Sequence, residues 1–296
     1  MSNTVVRATG PVISRISRVL GAEVTGVDIR KADELLLIQL RDALLRHGVL
    51  VIRNQHLGPA DQVEFLNRLY PMADEQTFMV DLTAPGFPAI GVLSNIVEDG
   101  EPIGVGDSGL LWHSDGSFVD SPELFVCLYA IEVPVRDGKP LGATRFINVA
   151  AAFEALPQED QQMLATLTAV QSYAHHFEKM KQFGHSNPSY KVVNKVEDRV
   201  QPVVRVHPIT GRRCLFINDG FTARIEGMSR EESDELMSRL FAHMTSAEFL
   251  YEHEWRENDL VIWDNALTQH QGTADYGDLR RLMHRCVTTG PPVSTY

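Results

Sequence analysis

Leu260-Val261-Ile262-Trp263-Asp264-Asn265-Ala266-Leu267-Thr268-Gln269-His270 passes from four apolar residues into a polar stretch that ends on a histidine. An apolar run this short reads as a buried strand. Comparable runs cover Phe125 to Ile131, Val203 to Val206, Cys214 to Ile217 and Met283 to Thr288, and the turn between the second and third of these carries Pro208, Thr210 and Gly211. Short strands separated by turn signals from about Ile90 onward predict a barrel or a double-sheet sandwich.

Helices flank this β-rich part. Asp33 reads as an N-cap, Leu36, Leu40, Ala43, Leu44 and His47 recur at helical spacing, and Gly48 stands where that helix should stop. Val49 to Ile52 then reads as a buried strand, and Pro59 to Tyr70 as a second helix opening on proline. Two helical insertions are expected among the strands. One runs from Asn148 to about Leu167 with a break at Pro157; the other starts at Ser229, whose spacing to Glu232 makes a capping box, and continues to about Met244.

With 296 residues, 44% hydrophobic and 22% charged, the chain has the composition of an ordinary globular protein. No linker, repeat or low-complexity stretch divides it, so residues 1 to 296 are expected to form one domain. A net charge of -12 argues against a nucleic-acid or anionic-membrane partner and favours small-molecule chemistry. Met1 to Pro11 lacks the apolar stretch of a signal peptide and nothing later is long enough to span a bilayer, so a cytoplasmic location is expected. Cys127, Cys214 and Cys286 are odd in number and sit in apolar contexts, which suits reduced core thiols.

The chemistry concentrates in Leu111-Trp112-His113-Ser114-Asp115. Placed on a strand, residues i and i+2 share a face, so His113 and Asp115 would deliver an imidazole and a carboxylate to one point. His270 lies 155 positions beyond Asp115 (270 minus 115) and supplies a second imidazole if the fold joins the two strands. Two histidines and a carboxylate form the facial triad of non-haem Fe(II) sites, although zinc hydrolases use the same donor set. Eleven residues after His270 (281 minus 270) comes Arg281, with Arg285 four further on. On one strand face, these two would set fixed positive charges in an apolar interior, where they require anionic partners such as a cosubstrate carboxylate.

The order H-x-D, then W-D-N-x-x-x-x-H, then the two arginines, resembles the TauD/TfdA family of Fe(II)/2-oxoglutarate dioxygenases. The resemblance spans nearly the whole chain and includes Leu20-Gly-Ala-Glu-Val-Thr-Gly-Val-Asp28, Trp112-His-Ser-Asp-Gly-Ser-Phe118 and Arg224-Ile-Glu-Gly-Met228. It implies a mainly β fold with flanking helices around a double-stranded β-helix, a jelly-roll or cupin-like core. By this resemblance His113, Asp115 and His270 bind Fe(II), and Arg281 holds the distal carboxylate of 2-oxoglutarate with help from Thr144. Arg285 meets the acidic head group of a small anionic substrate, and Asn95, Phe118 and Tyr173 line the substrate pocket.

The reaction implied consumes O2 and 2-oxoglutarate, releases succinate and CO2, and hydroxylates the substrate; Asp115 occupies the position that related halogenases leave vacant. The chain departs from the family pattern at Ala143 and Ala266, where Asp and Arg are common. Ser172 to Tyr190, with His175, His176 and His185, is polar and without clear period and is expected to be a mobile lid. Phe65 to Met72 lacks the histidine that taurine-type members place there, which turns the expectation from taurine towards an aryloxyalkanoate, a sulfonate or sulfate ester, or an amino-acid-like carboxylate. A homodimer or homotetramer is expected by the same analogy. The alternatives are a jelly-roll binding protein without catalysis and a zinc hydrolase on the same scaffold.

Overall fold

The computed structural model describes residues 10–72, 82–106, 109–182 and 196–295. Its largest element is an eight-stranded sheet. It contains β1 (Val12–Arg15), β2 (Ala22–Thr25), β3 (Val49–Ile52), β4 (Thr83–Ala84), β5 (Phe87–Ser94) and β6 (Phe125–Glu132). A three-stranded sheet is built from β7 (Thr144–Asn148), β8 (Leu250–His253) and β10 (Thr268–Gly272); β9 (Leu260–Asp264) and β11 (Leu282–Val287) complete the large one. The order in the large sheet is β1-β2-β3-β9-β6-β11-β5-β4, and in the small one β8-β7-β10. Thr168–Gln171 with its partners Arg199–Pro202 and Thr222–Ile225, and the pair Val204–Val206 with Arg213–Leu215, extend the second layer.

The central strands of the large sheet, β3, β6 and β9, are almost wholly apolar because both of their faces are covered, whereas β1 at the edge is largely exposed. Leu50 and Ile52, Leu260 and Ile262, Phe125, Cys127 and Tyr129, and Cys286 point outward, where α1 (Glu34–His47) and α2 (Pro59–Leu69) bury Leu37, Leu40, Leu44, Phe65 and Leu66 against them. The alternate residues, Val49, Val51, Val126, Leu128, Val261, Trp263, Met283 and Val287, point inward to meet Phe146, Tyr251 and Trp255. Each such side chain contributes about 1.5–3 kcal/mol on burial. Outside the second layer lie α3 (Val149–Glu154), α4 (Gln158–Leu164) and α6 (Arg230–Met244), with the break between the first two at Pro157. The result is a mainly β jelly-roll with, among the described residues, six flanking helices, the remaining one being α5 (Tyr173–Gln182).

The ends of these helices follow their sequence signals. Asp33 caps α1 by accepting from the Leu36 N–H at 2.8 Å, and Gly48 ends it in the left-handed conformation at φ 71°. A side chain there would meet Leu20 at 2.6 Å, so glycine is required twice over. Ser229 and Glu232 form the reciprocal capping box of α6. α2 stops at Leu69, one residue short of the expectation. The start of the segment expected to be a period-free lid is the helix α5; it docks through Met180 and His176, both buried, while His185 and the rest of that segment through Tyr190 lie outside the described residues.

Candidate active site

β10 carries His270 into the space between the layers. His113 pairs with it across an isolated antiparallel bridge: the His113 N–H donates to the His270 carbonyl at 3.1 Å, and the His270 N–H returns the bond at 2.9 Å. This one bridge brings together histidines 157 positions apart (270 minus 113). Asp115 does not share a strand with His113, as i, i+2 alternation would have it. The chain leaves the bridge after His113 and turns, and Asp115 opens that turn. Its position is set by the Asn265 side chain, which accepts from the Asp115 N–H at 2.9 Å and donates to the Asp115 and Glu123 carbonyls at 2.9 and 2.8 Å.

The three side chains converge. One ligand-type atom from each of His113, Asp115 and His270 lies within 4.8 Å of the others, the one such group among the described residues. His113 Nε2 is 3.9 Å from Asp115 Oδ1, and His270 Nε2 is 3.6 Å from Asp115 Oδ2. His113 Nδ1 donates to the Leu111 carbonyl at 2.8 Å, which leaves the lone pair of a neutral ring on Nε2, facing the carboxylate. The His270 ring is wedged against Trp263 and Phe146, with centroids at 4.7 and 6.0 Å. Asp115 Oδ2 is buried without a hydrogen-bond partner among the described residues. An orphaned carboxylate oxygen beside two imidazole lone pairs is the donor set a divalent ion completes, so the residues fit a metal.

The electrostatics agree. Burial pushes the Asp115 carboxyl up, but Arg285, His270 and His113 together outweigh it and hold the carboxyl at about 2. Burial, with the neighbouring His113, pushes His270 down to about 3, so its ring is neutral and available to coordinate at ordinary pH.

Arg285 occupies the inward face of β11 between Met283 and Val287, as its spacing predicts. Its guanidinium is not turned solely to a substrate: Nη2 donates to Asp115 Oδ1 at 2.8 Å and lies 4.0 Å from Glu123 Oε1. Arg281 stands just before β11 rather than on it, and a register shift between Leu282 and Met283 breaks the regular alternation there. Burial lowers its pKa, and Nε has no hydrogen-bond partner among the described residues. It packs over Gly142, where a Cβ would sit 3.3 Å from Nε and 3.1 Å from Tyr276; φ at Gly142 is 73°. Thr144 is two residues beyond that turn, buried, and accepts from Trp255 Nε1 at 3.0 Å, which leaves its own O–H to donate elsewhere.

Of the expected pocket residues, Phe118 and Tyr173 meet at 5.0 Å between centroids. Phe221, which sequence reasoning missed, joins them at 4.7 and 6.3 Å and lies 6.1 Å from the His113 ring. His176 of α5 stacks on Phe221 at 4.4 Å, and Lys179 ties the same helix to the Asp219 carbonyl at 2.8 Å. Asn95 braces the loop that presents Arg281: its Oδ1 accepts from the Arg281 N–H at 2.9 Å and its Nδ2 donates to the Gly277 and Leu279 carbonyls.

Residues 12–287 match the family described as taurine catabolism dioxygenase TauD, TfdA. The chain belongs to the TauD/TfdA family. Among its relatives in this family is an alkylsulfatase of Acinetobacter baylyi, 31% identical over 92% of this chain and 82% of the relative. An alpha-ketoglutarate-dependent sulfate ester dioxygenase of Pseudomonas putida is 32% identical over 95% and 88%. An alpha-ketoglutarate-dependent 2,4-dichlorophenoxyacetate dioxygenase of Cupriavidus pinatubonensis is 30% identical over 90% and 93%. The solved structure of a taurine dioxygenase from Burkholderia xenovorans superposes with a TM-score of 0.78 at 26% identity, covering 96% of this chain and 92% of that one. Among the described residues of this TauD/TfdA protein, no helix is long and apolar enough to cross a membrane.

Proposed function

We propose that the chain is an Fe(II)- and 2-oxoglutarate-dependent dioxygenase that hydroxylates a small organic acid, with a sulfate ester or an aryloxyalkanoate as the substrate class. The observation that carries this reading is the buried group of His113 Nε2, His270 Nε2 and the unpartnered Asp115 Oδ2. Iron held by these three would keep coordination positions for 2-oxoglutarate and O2, whose joint conversion to succinate and CO2 supplies the oxidising power for a substrate C–H bond.

The chain's own residues divide the remaining work. Arg281, a buried cation with an unmet donor, pairs with the distal carboxylate of the cosubstrate, and the Thr144 hydroxyl donates to the same group. Arg285 orients Asp115 and lies on the face where the substrate's acidic end would meet it. Phe118, Tyr173 and Phe221 form an apolar wall beside His113 that excludes water and receives the organic part of the substrate. α5 serves as the first half of a lid, held down by His176 and Lys179. We place the enzyme in the cytoplasm as one domain.

The relatives named above support the substrate class, since their names specify sulfate esters and 2,4-dichlorophenoxyacetate. The test is succinate release from 2-oxoglutarate in air with Fe(II), across alkyl sulfates, aryloxyacetates and amino acids. Stimulation by a sulfate ester or aryloxyacetate, in step with its oxidation, is the expected result. A zinc-dependent hydrolysis that consumes no 2-oxoglutarate would overturn the reading.

A further inference from the structure

Glu123 takes part in none of the roles above, yet it lies inside the site. Its backbone carbonyl is fixed by Asn265 Nδ2, its Oε1 lies 4.0 Å from Arg285 Nη2, and its Oε2 is buried with no hydrogen-bond partner among the described residues. The room for this carboxylate exists because residue 116 is glycine: a Cβ on Gly116 would stand 2.2 Å from Glu123 Oε2. Arg285 therefore faces two carboxylates, Asp115 and Glu123, in a space where one of them is a metal ligand under the reading proposed above. Once a divalent ion draws the charge of Asp115 to itself, Glu123 remains a carboxylate within 4.0 Å to balance Arg285.

We propose that Glu123 is a specificity-determining residue, a built-in counter-ion that tempers the grip of Arg285 on anionic head groups. Charge counting gives the direction. With Glu123 ionised, Arg285 meets a substrate anion already neutralised, and the anion must approach a second negative charge a few ångströms away in a poorly hydrated space. Small hydrophilic anions, whose binding rests on that one arginine, are left with little affinity. Substrates that also bury an alkyl chain or a ring against Phe118, Tyr173 and Phe221 keep the apolar part of their affinity. Burial, with Asp115 adding to it and Arg285 opposing it, raises the Glu123 carboxyl above its ordinary value; the guanidinium 4.0 Å away is the neighbour that favours its charged form. The inference thus narrows the substrate class to anions with a substantial apolar body.

The inference rests on the proposed function for the location of the substrate but not on turnover, so equilibrium binding separates the two. Hexyl sulfate and 1-hexanol are titrated calorimetrically against the full chain loaded with Mn(II) and 2-oxoglutarate without oxygen, and against the chain without either. Wild type, Glu123→Gln and Glu123→Asp are compared. The expectation is that Glu123→Gln binds hexyl sulfate at least about tenfold more tightly, the size of effect a neighbouring buried charge produces. 1-Hexanol should bind all three proteins alike, and Glu123→Asp, which keeps the charge, should retain most of the wild-type preference. Methyl sulfate, which shares the head group but lacks the apolar body, should gain from Glu123→Gln by a similar factor while binding more weakly than hexyl sulfate to every variant. Unchanged or weaker binding of hexyl sulfate by Glu123→Gln overturns the inference. So does an equal gain for the alcohol, which would mark a change of shape rather than of charge. A protein that binds the probes as expected but releases no succinate with any substrate would instead count against the proposed function alone.

Discussion

Asn265 and Asp115 clasp each other through a reciprocal pair of hydrogen bonds, each 2.9 Å, across 150 positions of sequence. Asp115 sits in a turn rather than a strand, and this clasp is what makes the turn a rigid platform for its carboxylate. Asn265→Ala removes both bonds and also frees the Glu123 carbonyl, leaving buried backbone groups unpaired. It should lower Mn(II) affinity by about 10–100-fold, the usual effect of losing support behind a ligand, while the folded spectrum by circular dichroism persists. An unchanged affinity would mean that the turn holds Asp115 without Asn265.

Arg281 is braced by Asn95 and packed over Gly142, and both contacts bear on how it meets a carboxylate. Arg281→Ala should weaken 2-oxoglutarate binding by about 2–5 kcal/mol, the range for losing one partner of a buried charged pair. Gly142→Ala should raise the 2-oxoglutarate requirement in the same direction but less, because the added methyl meets Tyr276 at 3.1 Å and the residue must keep φ at 73°. Titration of 2-oxoglutarate at fixed metal checks both; a larger effect of Gly142→Ala than of Arg281→Ala would contradict the assignment.

Acid should loosen α5. Burial pushes His176 down to about 4, with His113 adding to the shift, and its neutral ring donates from Nδ1 to the Gly220 carbonyl at 3.2 Å. The unfolded chain takes up this proton near the ordinary histidine value of about 6.5, so the stability tied to the neutral ring is whole above that pH. It falls as pH drops towards about 4, where the folded form titrates as well. His176→Phe retains the stack on Phe221 and should flatten the fall of the melting temperature over this range. Parallel wild-type and variant profiles would refute the role given to His176.

Much of this was legible beforehand because the signals were local or repeated. The Asp33 cap, the Ser229–Glu232 box and the break at Pro157 each need only neighbouring residues, and all three appear where expected. The grouping of His113, Asp115 and His270 was legible because two spaced motifs carry it, even though the alternation of a strand does not operate between His113 and Asp115. What escaped depends on distant pairing. Phe221 reaches His113 through the loop that Asn218 ties to Ser117 at 3.2 Å, and Glu123 reaches Arg285 through the gap at Gly116; neither leaves a periodic trace. The helix α5 is hidden in the sequence because much of its docking is made by His176 and Lys179, polar residues that look solvent-facing, beside the buried Met180.

The ligand roles proposed for His113, Asp115 and His270 predict distinct losses. His113→Ala, Asp115→Ala and His270→Ala should each abolish Fe(II)-dependent turnover with little loss of fold, since side chains in an open metal site contribute more to chemistry than to the core. Asp115→Ala carries an extra consequence: Arg285, buried, loses the charged hydrogen-bond partner it holds at 2.8 Å. This variant should therefore lose more thermal stability than His113→Ala in the absence of metal, and differential scanning calorimetry of the apo-proteins decides it.

The most direct test is an oxygen-free titration of Fe(II) followed by 2-oxoglutarate, on wild type and on His270→Ala. The account predicts one Fe(II) per wild-type chain, 2-oxoglutarate binding that requires the metal, and loss of both in the variant. Fe(II) bound equally well without His270, or 2-oxoglutarate bound equally well without metal, would contradict it.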